Sequence, residues 1–232
     1  MKTFGSNKLL TKYFGPQKVT NEFSIVDSLI EHTRIDEEEL NLLHDMVRYL
    51  CQHKNEVVPH LYEKIRKIND NSRAIFERTA EEIIQAQFDQ QKQYDLLRLF
   101  QRIEYISTDI ILCAKRILIL CKLDTELPDH LTLEILTLTK AVEAIHLEFK
   151  ASLHIYLKDK KKLLSYISAI EKMEADIQEQ QAVCLEQLYQ LGNKGVIRLG
   201  TLRALESVSE HIDDTGAAIK EAATSLEWLL IY

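Results

Sequence analysis

Helix-breaking residues are scarce in this chain: three prolines and six glycines in 232 residues. Their scarcity excludes frequent turns and leaves long stretches filled by Leu, Ile, Glu, Lys, Gln and Ala, the composition of long helices. Positive charge is in the minority, with 29 Lys and Arg against 36 Asp and Glu and a net charge of −7. That balance favours solubility and gives no general electrostatic support to nucleic-acid binding. Aromatic residues make up 7% of the chain and are not interleaved with basic ones, so stacking on bases is not expected either. No apolar run reaches the ~18–20 residues that span a bilayer. The most apolar one, Ile110 to Cys121, is interrupted by Lys115 and Arg116. Any membrane association must therefore be peripheral or through a partner. The N-terminus carries Lys2, Lys8, Lys12 and Lys18 but no apolar signal core. Cys51, Cys113, Cys121 and Cys184 form no CxxC pair and sit in apolar helical patterns. They read as reduced core or boundary thiols of a cytosolic protein.

What the chain does have is helical periodicity. Residues 1–20, with Gly5, Gly15 and Pro16, read as an irregular lead-in. A first helix is expected from about Glu22 to His53, with a kink over the polar patch His32 to Glu39, because Asp36 followed by Glu39 resembles a capping box. Pro59 fits the first turn of a second helix running to about Phe88, with the polar stretch Asp89 to Gln93 as the next turn. A third helix covers Asp95 to Cys121, and Asp124 to Asp129, with Pro128, is the clearest break. Further helices follow over Leu131 to Leu157, Lys161 to Leu191 and Val196 to Leu230, with Gly192 as a candidate stop for the fifth. The fold class is all-α: six long antiparallel helices, arranged as two repeated three-helix units in one bundle.

The repeat is visible in the residues. The run Arg102-Ile103-Glu104-Tyr105-Ile106-Ser107-Thr108-Asp109-Ile110 matches Ala204-Leu205-Glu206-Ser207-Val208-Ser209-Glu210-His211-Ile212 at an offset of 102. Ile65, Ile68, Asn69 and Ile75 match Ile167, Ile170, Glu171 and Ile177 at the same offset. Two matches on different helices at one spacing suggest a duplicated unit of about half the chain. The expected boundaries are a first repeat at 21–124 and a second at 125–232.

On the last helix, Leu205, Val208, Ile212, Ile219 and Leu226 form a core stripe, flanked by Ser209, Gly216 and Ala223, which let a neighbouring helix approach. Glu206, Glu210 and Asp213 share a second facet, at i, i+4 and i+7, with Asp214 beside them. Like charges at this spacing repel, and a cation held by carboxylate oxygens would relieve that repulsion. The ordinary reading of such a facet is a solvated acidic face. The matching facet of the third helix is Glu104, Thr108 and Ile111, and the second helix offers Asn69 and Arg73 where the fifth offers Glu171 and Ala175. On this reading the first copy has lost most of its carboxylates.

The run Leu205-Glu206-Ser207-Val208-Ser209-Glu210-His211-Ile212-Asp213-Asp214 resembles the last-helix signature of the PhoU-like family, in particular its shorter branch of phosphate transport regulators. Ile167-Ser168-Ala169-Ile170-Glu171 is similar to the start of the family's preceding helix motif. The resemblance implies a non-enzymatic, cytoplasmic role in phosphate homeostasis, close to the inner face of the cell membrane. The partner it implies is a low-affinity phosphate transporter of the Pit type. It also implies metal binding, with iron, zinc or magnesium as candidates, at Glu/Asp-x-x-x-Asp motifs. Carried over to this chain, the metal positions are Glu171, Glu206, Glu210, Asp213 and Asp214. In the first repeat only Glu104 matches, while Asn69, Arg73 and Thr108 depart. A Trp-Lys-Glu element usual before the last motif reads Leu199-Gly200-Thr201 here.

Other constellations are weaker. Glu143 and His146 form a single Glu-x-x-His pair, where bundle di-iron sites need two, so His146 reads as a boundary histidine. No signature of a Ser/His/Asp or Cys/His catalytic site is present. The Gly192–Gly200 stretch lacks the features of a phosphate-binding loop. The Lys158 to Lys162 cluster is a solvated turn or a contact for anionic headgroups or an acidic partner. Three readings remain open from the sequence: a regulator docking on a phosphate transporter, a metal-binding bundle (store or metalloenzyme) centred on the last two helices, and a helical scaffold that forms homo-oligomers.

Overall fold

The computed structural model describes residues 22–123 and 127–230. Among them the chain forms six helices and no strand: α1 (Glu22–Cys51), α2 (Val58–Gln85), α3 (Gln90–Lys122), α4 (Asp129–Ile155), α5 (Lys160–Asn193) and α6 (Leu199–Trp228). The all-α expectation holds. The lead-in at 1–20 and residues 124–126 of the expected break lie outside the described residues. No helix among the described residues is long and apolar enough to cross a membrane.

Local chemistry explains where the helices begin. Pro59 lies in the first turn of α2, where its missing N–H is not needed. Asp89 caps α3 by accepting from the Lys92 amide at 2.9 Å, and Asp159 caps α5 by accepting from the Lys162 amide at 3.0 Å. The polar stretch Asp89 to Gln93, expected as a turn, is therefore a cap and the first turn of α3. Gly192 does not stop α5, which runs on to Asn193. The left-handed residue in the following turn is Gly195, at φ 69°. The polar patch His32 to Glu39, where a kink is expected, does not interrupt α1, which is helical from Glu22 to Cys51. Asp36 and Glu39 cap nothing, because both side chains turn into the protein interior.

Each of α1, α2 and α3 packs on the other two, and α4, α5 and α6 do the same. The two trios meet along α1–α4 and α3–α6. Exchanging α1 with α4, α2 with α5 and α3 with α6 reproduces the same set of contacts. Burial follows this exchange residue by residue. All buried positions of α1, from Ile25 to Leu50, fall on buried positions 106 residues later, from Leu131 to Tyr156. In α3 and α6 the offset of 102 superimposes Ile103 on Leu205, Ile106 on Val208, Ser107 on Ser209 and Ile110 on Ile212, all buried. The stripe read from the last helix, Leu205, Val208, Ile212, Ile219 and Leu226, is core throughout. Gly216 lies against α5, where an added Cβ would meet Ile177 at 3.4 Å.

Candidate functional site

Apolar stripes make most of this core, but one stripe is ionisable. On α1, His32, Asp36 and Glu39 are fully buried at helical spacing, in line with Leu29 and Leu43. The positions that correspond to them on α4 are Leu138, Val142 and Ile145. The same architecture is thus built with apolar residues in one half and with ionisable ones in the other.

The α1 stripe faces polar groups on both neighbours. His32 Nε2 contacts the Ser72 hydroxyl of α2 and lies 3.2 Å from a Glu104 oxygen of α3, while its ring stacks on Phe100. The Ser72 hydroxyl also donates to Glu104 at 3.5 Å. One layer along, the Ser107 hydroxyl donates to Glu39 at 2.5 Å and accepts from the Asn69 side-chain amide at 2.9 Å. Across the other interface, Asp36 lies 4.0 Å from Nε2 of His146 on α4. His146 is 1% exposed, so it is a core residue and not the boundary histidine that its helix pattern suggested.

Donors are in short supply in this seam. Three carboxylates offer about a dozen acceptor sites, against two hydroxyls, one amide and the imidazoles. Both oxygens of Asp36, Oε1 of Glu39, Nδ1 of His32 and Nε2 of His146 are buried and lack any hydrogen-bond partner within the protein. The ionisation equilibria respond accordingly. Burial, reinforced by Glu39 and Glu104, holds the Asp36 carboxyl well above the usual carboxylate range. Burial lifts Glu39 to about 8 against the opposing bond from Ser107. Burial lowers His146 to about 4, so its ring is neutral at physiological pH.

The carboxylates expected to hold metal are arranged differently. Glu206 accepts from the Tyr189 hydroxyl and, at 2.7 Å, from Arg203, and these two bonds lower its pKa. Glu171 and Glu210 are exposed, with Glu210 one turn along from Glu206. Asp213 is half-buried and raised, chiefly by burial and then by Asp214 and Glu174. Glu174, unremarked in the sequence, is 3% exposed at the position equivalent to Ser72. It accepts from Lys220 at 3.0 Å and from Gln178 at 2.8 Å. Asp214 is drawn to the other side of α6. His211 Nδ1 lies 3.8 Å from Asp214 and 3.9 Å from Asp109 of α3. Among the described residues, Asp109, His211 and Asp214 are the one trio of His, Cys, Asp or Glu side chains whose donor atoms all lie within 4.8 Å of one another. Burial and the nearby Asp214 raise Asp109 to about 6. Asp214 is therefore the one expected position that joins such a trio, and it does so with partners that spacing along one helix does not reveal.

The four cysteines are free thiols, with Cys113 and Cys184 buried and Cys51 and Cys121 partly so. Burial raises all four above the ordinary thiol range. None sits in the electropositive, accessible setting of a reactive cysteine.

No protein-family model matches the chain, and no curated protein matches it. Solved structures do. A PhoU-like protein from Shewanella oneidensis is similar at TM-score 0.76 and 13% identity, over 89% of this chain and 99% of that one. A second protein from the same bacterium, described as a PhoU-like phosphate regulatory protein, gives TM-score 0.74 at 13% identity over 89% of this chain and 99% of its own. PhoU from Pseudomonas aeruginosa gives TM-score 0.76 at 12% identity over 90% of this chain and 96% of its own. The fold of this chain is the fold of PhoU-like proteins, as the last-helix resemblance implied.

Proposed function

We propose that this protein is a non-enzymatic regulator of phosphate homeostasis that docks on a membrane phosphate transporter of the Pit type from the cytoplasmic side. The observation that carries this reading is the fold, shared over nearly the whole chain with PhoU and PhoU-like proteins, one of them described as a phosphate regulatory protein. Two surface features fit a docking protein. Trp228 at the end of α6 is half-exposed and lies beneath the Arg98 guanidinium, 5.3 Å from its ring centre. Tyr94 and Tyr105 are exposed on the same stretch of α3. Trp, Tyr and Arg are enriched among the residues that dominate binding energy in protein interfaces. The basic turn Lys158 to Lys162 is exposed and suits contact with anionic headgroups.

Co-expression with a Pit-type transporter, followed by capture from detergent-solubilised membranes, tests the reading. The transporter is expected to co-purify, and Trp228→Ala with Arg98→Ala is expected to weaken capture. Failure to recover the transporter with the wild-type chain overturns the proposed partner. Unchanged phosphate uptake in cells lacking the protein overturns the proposed role.

The alternative, a metal-dependent bundle centred on Glu171, Glu206, Glu210, Asp213 and Asp214, has one geometric support, the trio of Asp214 with His211 and Asp109. Loss of bound metal in Glu206→Gln with Glu210→Gln would favour the original set. Retention there with loss in Asp109→Asn would favour the trio.

A further inference from the structure

We infer that the buried seam around Asp36 is an internal site for one divalent transition-metal ion, held by Asp36, Glu39 and His146 with the His32–Glu104 pair beside it. This site is separate from the acidic facet of α6 and from the trio at Asp109, and it does not depend on the phosphate reading.

Three observations carry it. First, Asp36, Glu39, His32 and His146 are each 1% exposed or less, and each presents a ligand-type atom that nothing in the protein satisfies. A buried anion without a partner is costly, and a buried carboxylate needs a proton or a cation beside it. Second, the two unsatisfied atoms of Asp36 and His146 face each other at 4.0 Å across the α1–α4 contact. Two metal–ligand bonds of about 2.1 Å each can bridge that gap. Third, the fold does not require these groups. At the equivalent positions the second half carries Leu138, Val142 and Ile145 for His32, Asp36 and Glu39, and the first half carries Leu40 for His146.

The donor set selects the ion. Imidazole nitrogen mixed with carboxylate oxygen suits Zn²⁺ or Mn²⁺ better than Ca²⁺ or Mg²⁺. No three of these donor atoms yet lie within 4.8 Å of one another, so binding draws the side chains inward and releases protons from the carboxyls. Facing groups complete the surroundings. Glu37 and Lys150 pair with each other near His146, and Ser72, Ser107 and Asn69 line the α2–α3 side.

The full chain, stripped with chelator, is titrated calorimetrically with Zn²⁺ and with Mn²⁺, and its metal content is measured after desalting. One ion per chain is expected. Asp36→Asn should weaken binding on the order of 100-fold or more, because loss of a ligand itself costs more than the roughly 10–100-fold lost when only a residue behind a ligand is removed. Asp109→Asn should leave it unchanged. The double variant Asp36→Val with Glu39→Ile, which copies the second half, should fold and bind no ion in the seam. Absence of binding by wild-type protein overturns the site, as does binding that survives Asp36→Asn. Binding lost in Asp109→Asn alone assigns the ion to the α3–α6 trio and equally overturns it. If wild-type protein takes no ion while Asp36→Asn is more heat-stable, Asp36 is a protonated core residue only.

Discussion

The Asp36 carboxylate and the His146 ring lie within 4.0 Å of each other in the core, yet they do not form an ion pair at neutral pH. Burial raises the acid and lowers the base, and the ring, held at about 4, is neutral there. His146 falls from 6.5 to about 4, so the unfolded chain takes up this proton first as pH drops. The stability tied to neutral His146 is present above pH 6.5 and is lost as pH falls towards 4. Metal-free wild-type protein should therefore lose up to about 3 kcal/mol across this window relative to His146→Leu. Denaturant unfolding of both proteins at pH 7 and pH 4.5 checks this. A constant difference between them would show that the ring is not the group responsible.

In the second half the buried carboxylate is paired. Glu174, at 3% exposure, holds Lys220 at 3.0 Å. Lys220→Met would leave Glu174 buried without its counter-charge. Loss of one partner of a buried pair destabilises by about 3–5 kcal/mol, and partial exposure of the lysine lowers this case to about 2–3 kcal/mol. Glu174→Gln combined with Lys220→Met should recover most of that loss. Urea midpoints of the single and double variants give the coupling directly, and simple additivity would contradict the pairing.

Gly216 sets the approach of α6 to α5. A methyl there meets Ile177 at 3.4 Å, an ordinary contact, so Gly216→Ala should stabilise by up to about 1 kcal/mol through helix propensity. Gly216→Leu overfills the same gap and should destabilise by about 1–3 kcal/mol. Thermal unfolding of the pair checks the opposite signs.

The sequence made the apolar architecture legible because helical periodicity and burial are the same signal. Every residue of the stripe Leu205, Val208, Ile212, Ile219 and Leu226 is core. The buried seam was missed because polar residues on a helix read as solvent-facing, and Asp36 with Glu39 mimicked a cap. A signal was nonetheless present: His32 and Asp36 continue the stripe of Ile25 and Leu29 towards Leu43, and a shift of 106 residues places them on Leu138 and Val142. Comparison of α2 and α3 alone with α5 and α6 suggested a first half stripped of carboxylates, whereas Asp36, Glu39 and Glu104 gather there. The spacing of the α6 carboxylates did place Glu206 and Asp213 along the side facing α5. Their partners Tyr189, Arg203 and Glu174, and the meeting of His211 with Asp109 across α3–α6, arise from packing between helices and leave no local trace.

The account rests on the α1 seam being kept for a ligand and not for the fold. The thermal midpoint of chelator-treated Asp36→Val with Glu39→Ile, compared with chelator-treated wild type at pH 7, tests this most directly. Replacing unsatisfied buried acids by the apolar residues of the matching α4 positions should raise the midpoint by about 5 °C or more. A lower midpoint would show that the ionisable stripe supports the fold itself, and would contradict the account.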